Sequence, residues 1–196
     1  MKIKSLMVPD PITITEDASI EEAIDLMKTN SIRHLPVVSG GNMLEGFVTL
    51  ADLKTGLIPS MLAGLCLSDL MIREPITVEP DSDIEIAAQL IYKYKIGGIP
   101  VVKRGKLVGI ITETDMLRAF IDMMGILSAS SRIDVVIGTE PGSLNKAMLV
   151  VQKNGGEIMS VGITGQRGRK RTYHFRLYPC KTGRIKDALE KLGYKV

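Results

Sequence analysis

The chain has 196 residues, 45% hydrophobic and 24% charged, with no tryptophan and a net charge of +3 from 25 basic and 22 acidic side chains. That length fits two small domains, or one doubled domain and a smaller companion. So slight a basic excess weighs against a dedicated nucleic-acid binder, which concentrates Lys and Arg on one face.

Met7 already lies in a repeated segment, leaving no room for a signal-peptide core, and no run of about 18 apolar residues occurs. The expectation is a cytoplasmic protein with no membrane partner. Cys66 and Cys180 stand far apart without metal or redox spacing and read as free thiols.

In chain order, Pro11 to Thr15 alternates Ile and Thr as a short strand would. Ser19-Ile20-Glu21-Glu22 supplies a capping box, and Ile20, Ala23, Ile24 and Met27 fall on one face of the helix that follows. Leu35 to Val38 and Met43 to Thr49 are β-rich runs around a turn at Ser39-Gly40-Gly41-Asn42, which predicts a hairpin. A second helix opens at Thr49-x-x-Asp52.

The whole unit then returns. Met7-Val8-Pro9-Asp10-Pro11-Ile12-Thr13-Ile14 becomes Met71-Ile72-Arg73-Glu74-Pro75-Ile76-Thr77-Val78. Leu35-Pro36-Val37-Val38 becomes Ile99-Pro100-Val101-Val102, and the ending Gly46 to Asp52 becomes Gly109 to Asp115. Ile84, Ala87, Ala88 and Ile91 repeat the apolar stripe, and the second hairpin turns at Lys103-Arg104-Gly105. Each copy is β-α-β-β-α, with its apolar face expected against the other copy.

These paired motifs, from Ser5 to about Phe120, resemble a tandem pair of cystathionine-β-synthase-type (CBS) domains, or Bateman module. The resemblance implies an adenosine-containing ligand (AMP, ADP, ATP or S-adenosylmethionine) held between the repeats as a regulatory ligand, with no cofactor required. It implies ligand contacts from Thr49 and Asp52 in one cleft and from Thr112 and Asp115 in the other. Thr13, Ile14, Thr77 and Val78 would complete the walls. The chemistry fits, since a carboxylate accepts hydrogen bonds from ribose hydroxyls and a Thr hydroxyl can donate to phosphate. The same residues also read as helix N-caps with an acid in the first turn, and the two roles are compatible.

By that resemblance Arg33 and His34, just before the first hairpin, reach phosphate in the Thr49 cleft, while the matched Gly97 and Gly98 would stand in the Thr112 cleft. The alternative is a solvent-facing Arg beside a partly buried His.

After Phe120 the repeat stops. Asp122 to Ser131 reads as a helix end and linker, and a new pattern begins at Arg132. Ile133, Val135 and Ile137 alternate, a helix runs from Leu144 to about Asn154, strands follow at Glu157–Ile163 and Thr172–Leu177, and a helix spans Thr182–Leu192. This order, β-α-β-β-α-β, predicts a ferredoxin-like sandwich. Its Pro141-Gly142-x-Leu144 turn and its Gly155-Gly156-x-Ile158 helix exit resemble the ACT domain, a small-molecule sensor that often binds amino acids, with Glu140 in place of the commoner Asp. Gln166-Arg167-Gly168-Arg169-Lys170-Arg171 reads as an exposed hairpin tip.

The expected architecture is α+β: CBS repeats at 1–60 and 61–125, a linker at 126–131 and an ACT-like domain at 132–196. No metal spacing, nucleophile elbow or Walker loop occurs, so the expected function is non-catalytic. The combination resembles accessory proteins of acetoin utilisation and predicts a homodimer through Leu57, Ile58, Met61, Leu117, Phe120 and Ile121. The competing readings are a nucleic-acid-binding regulator using the basic hairpin, and an enzyme with an unrecognised site.

Overall fold

The computed structural model describes residues 1–55, 66–167 and 170–196. The chain divides into two compact units, Met1–Leu117 and Arg118–Val196. The first contains the repeats as far as Leu117.

A short strand, β1 (Val8–Pro9), precedes α1 (Ile20–Thr29). The Ser19 hydroxyl accepts from the Glu22 amide at 3.1 Å and the Glu22 carboxylate accepts from the Ser19 amide at 2.7 Å, which is the predicted capping box. The Ser19 N–H holds the Glu22 carboxyl below its usual range. Ile20, Ala23, Ile24 and Met27 are all buried. The hairpin follows as β2 (His34–Ser39) and β3 (Met43–Thr49), then α2 (Leu50–Thr55). The predicted Pro11–Thr15 strand reduces to one parallel bridge, Ile14 to Val37.

The second copy runs α3 (Leu67–Leu70), α4 (Ile84–Tyr94), β4 (Gly98–Lys103), β5 (Lys106–Thr112) and α5 (Glu113–Met124). Its tight turn puts both Arg104 and Gly105 at positive φ, 53° and 81°, as a two-residue hairpin of matching twist requires. The predicted α4 stripe is corrected: Ala87 is buried with Leu90 and Ile91 beside it, whereas Ala88 is exposed.

The segments leading into the repeats are exchanged. Ile3 and Met7 pack with Val78, Ala87, Ile99, Val101 and Ile111 of the second repeat, and Leu67 and Met71 pack with Leu35, Val37, Val48 and Leu53 of the first. β1 pairs antiparallel with β5, Val8 opposite Ile110, and Ile72 bridges Phe47 in the corresponding place. The glycine of each Gly-h-h-Thr ending makes this possible. A Cβ on Gly46 would lie 2.6 Å from Met71 Sδ, and one on Gly109 2.6 Å from Met7 Sδ. The first leader is stitched further by Ile3 N–H to Ser82 O at 3.0 Å and by ion pairs Lys2–Asp83 and Lys4–Asp81.

The second unit is built on β6 (Ser131–Gly138), α6 (Ser143–Lys153), β7 (Ile158–Arg167), β8 (Lys170–Leu177) and α7 (Gly183–Lys191). β8 lies between β6 and β7, all antiparallel, and Lys195 bridges Val136 on the free side of β6. This is the predicted β-α-β-β-α order with its last strand reduced to one bridge. Ile133, Val135, Ile137, Phe175 and Leu177 meet Ala147, Val151, Ile185 and Leu189 of the two helices in one core. Gly155, at φ +86°, ends α6, and no Cβ fits on Gly156, where Val151 Cγ1 would stand 2.6 Å away.

Among the described residues no helix is long and apolar enough to cross a membrane. Cys66 and Cys180 are free thiols.

Candidate functional site

Each repeat ends in a strand whose last residue caps the next helix. Thr49 donates its hydroxyl to Asp52 Oδ2 at 2.7 Å and its amide to the same oxygen at 2.9 Å, while the Asp52 amide reaches Thr49 Oγ1 at 3.3 Å. Thr112 and Asp115 repeat the arrangement at 2.6, 2.8 and 3.3 Å. The Thr is the N-cap and the Asp closes the box from the first turn. In both copies the bonds fall on Oδ2, so the cap does not use the other carboxylate oxygen.

Beside each cap lies a cleft. The Thr49–Asp52 cleft, about 650 Å³, is walled by Phe47, by Ile72, Pro75 and Ile76 of the second leader, and by Ile96, Gly97 and Gly98. The Thr112–Asp115 cleft, about 390 Å³, is walled by Ile110, by Val8, Pro11 and Ile12 of the first leader, and by Ser31 to His34. Both volumes suit a small-molecule site with apolar walls and a few polar groups. The leader exchange makes each cleft composite: the cap comes from one repeat, the facing wall from the other.

Two expectations change here. Gly97 and Gly98 line the Thr49 cleft and not the Thr112 cleft, although Gly98 pairs with Thr112 in the sheet. Arg33 and His34 line both clefts. Thr13, Ile14, Thr77 and Val78 are absent from these walls, which Pro11, Ile12, Pro75 and Ile76 form instead. The backbones of Ile14 and Val78 are spent on the sheets, Ile14 N–H to Pro36 O at 3.1 Å and Val78 N–H to Pro100 O at 3.2 Å.

His34 stacks on Phe47, ring centroids 5.9 Å apart, and its other side meets the two glycines: a Cβ on Gly97 would be 2.8 Å from His34 Nε2. Burial is the main cause that pushes its pKa below the usual value, with Arg33 adding to the effect and Glu113 and Asp52 opposing it. Arg33 rests on Glu113, Nη2 to Oε1 3.5 Å, with both side chains more than half exposed. Lys54 and Lys95 also line the Thr49 cleft. Phe47 and Glu113 escaped the sequence reading, although each lies inside or next to the repeated ending. No group of His, Cys, Asp and Glu suited to a metal occurs among the described residues.

In the second unit, Asp134 on β6 binds Arg132 Nε at 2.7 Å and His174 Nδ1 at 2.8 Å, and His174 Nε2 contacts Thr164 Oγ1. The Arg132 guanidinium is the first cause holding the Asp134 carboxyl below its ordinary range. Lys170 and Arg171 of the basic run are exposed, while Gly168 and Arg169 lie outside the described residues. Of the expected dimer contacts, Leu57, Ile58 and Met61 also lie outside them, Leu117 and Phe120 are exposed, and Ile121 is half-buried.

The CBS domain family model matches the chain twice, at residues 3–58 and 67–122. The chain is 36% identical over 102 residues to the homoserine O-acetyltransferase of Methanocorpusculum labreanum, which is 52% of this chain but 20% of that protein. The CBS domain pair of protein MJ0100, solved with 5′-methylthioadenosine and S-adenosyl-L-methionine, superposes with a TM-score of 0.57 at 31% identity, covering 61% of this chain and 95% of that one. CBSX2 of Arabidopsis thaliana, solved with AMP, gives 0.57 at 27% identity over 62% and 96%. A Vibrio cholerae protein ascribed to acetoin utilization, AcuB, gives 0.60 at 30% identity over 65% and 96%.

Proposed function

The chain belongs to the CBS domain family, and on that premise we propose that it is a non-catalytic regulatory protein whose paired repeats bind an adenosine-containing ligand. The carrying observation is the pair of composite clefts, each with a Thr-x-x-Asp cap at its rim. Asp52 and Asp115 accept the ribose hydroxyls, and Thr49 and Thr112 stand where phosphate or its substitute approaches. Arg33 and His34 supply positive charge and a ring edge, and Gly98 leaves room for them. Supporting this reading, MJ0100 was solved with two adenosine derivatives and CBSX2 with AMP.

In this reading residues 1–60 and 61–125 are the CBS repeats, 126–131 a linker and 132–196 an ACT-like domain, which extends beyond the matched family segments. A homodimer covers the exposed apolar side chains Leu117 and Phe120 of α5, and the protein works in the cytoplasm on a target enzyme.

Calorimetry with AMP, adenosine and S-adenosylmethionine tests the site, using the wild type and the double variant Asp52→Asn with Asp115→Asn. Asn retains a capping oxygen but halves the acceptors offered to ribose. Affinity falls about tenfold or more in the double variant, and equal affinity in both proteins contradicts the assignment.

A further inference from the structure

We infer that the two clefts compete for one guanidinium, so that phosphate-bearing ligands bind them antagonistically while uncharged nucleosides do not; this rests on the adenosine-ligand reading above. Arg33 lines both clefts, and the matched position in the other repeat is Gly97. A second arginine there would displace the His34 ring, since even a Cβ on Gly97 would sit 2.8 Å from His34 Nε2 and 3.0 Å from its Cε1. The stacked His34 ring that Gly97 and Gly98 accommodate is thus what restricts the pair to one arginine.

The two clefts depend on it unequally. The Thr49 cleft also has Lys54 and Lys95 in its walls beside the carboxylates of Asp52, Glu74 and Glu113, while among the described residues Arg33 is the only Lys or Arg lining the Thr112 cleft, whose carboxylates are Asp10 and Asp115. Arg33 rests on Glu113 at 3.5 Å, an exposed pair held weakly enough to be exchanged for a phosphate. A guanidinium forks onto one phosphate at a time. The first AMP draws Arg33 to itself, and the second enters a cleft without it. A charge-assisted hydrogen bond sets the scale at about tenfold in affinity, about 1.4 kcal/mol.

Calorimetry resolving two sites per chain, with AMP and with adenosine as titrants, tests this on the wild type and Arg33→Gln. The expected result is a tight and a weak AMP step in the wild type, with Arg33→Gln weakening the tight step about tenfold and leaving the weak one unchanged. Adenosine binds both proteins alike. Two equal and independent AMP steps in the wild type, or an Arg33→Gln protein in which both steps weaken together or neither does, overturn the shared guanidinium and leave the adenosine site standing. Failure of AMP and adenosine alike to bind the wild type overturns both.

Discussion

Before the first hairpin stand Arg33 and His34; before the second, at matched positions, stand Gly97 and Gly98. At the exchange and the caps the copies hold close: Ile3 answers Leu67 and Met7 answers Met71 in the opposite cores, Gly46 answers Gly109 under a methionine sulfur, and the two Thr-Asp caps differ by about a tenth of an ångström. Positions that keep the exchange closed are copied with their chemistry. The pair that diverges lies at the clefts, and it diverges in a complementary way, a ring on one side filling the space left by two glycines on the other.

The strongest test of this likeness is to truncate the two leaders. Ile3→Ala and Leu67→Ala each remove a fully buried side chain and should cost about 2–5 kcal/mol. Native-state hydrogen exchange should show Ile3→Ala loosening β4 and β5 and Leu67→Ala loosening β2 and β3, each in the other repeat. Loosening within the same repeat would break the exchange. Gly46→Ala and Gly109→Ala place a methyl against a methionine sulfur and nearby carbonyl oxygens and should each cost about 1–3 kcal/mol in denaturant unfolding. A neutral result at one position would show that the copies close differently there.

Removing a cap is milder. Thr49→Ala and Thr112→Ala should each lose about 1 kcal/mol, and the two losses should agree because the bond sets agree. A smaller effect separates the copies at His34, whose folded pKa is depressed below 6.5, chiefly by burial. The neutral ring is favoured in the folded state, so stability is full above the unfolded pKa and falls as pH drops below about 6.5 toward the folded value. His34→Phe keeps an aromatic face for Phe47 and should flatten that slope; an unchanged stability–pH profile would exclude His34 as its source. Smallest of all, Arg33→Gln should shift ligand-free stability by less than about 0.5 kcal/mol, because its partner Glu113 is exposed. A larger loss in thermal unfolding would make Arg33 a folding residue.

What the sequence disclosed is what short stretches decide. Ser19 and Glu22 make their box within a turn, the Ile20 stripe follows from helical period, and the Arg104-Gly105 turn follows from residues that accept positive φ. The Leu-Met pairs were visible as repeats, but nothing local says which core a leader enters. That non-local choice also decides the clefts. The matching of copies assigns Gly97 and Gly98 to the Thr112 cleft, whereas they line the other one, and the leader walls fall on Pro11, Ile12, Pro75 and Ile76, one or two residues before Thr13 and Thr77.

The exchange of leaders also bears on how such a chain comes to exist. A single repeat carrying its own leader holds a sticky end whose only fitting socket is on another copy, and a socket with nothing to fill it. Two identical chains would satisfy both by swapping arms about a two-fold axis. This protein has the form of that swapped dimer with the subunits joined end to end. Joined in one chain, one copy carries an arginine and a histidine where the other carries two glycines, a division of labour that identical subunits cannot make.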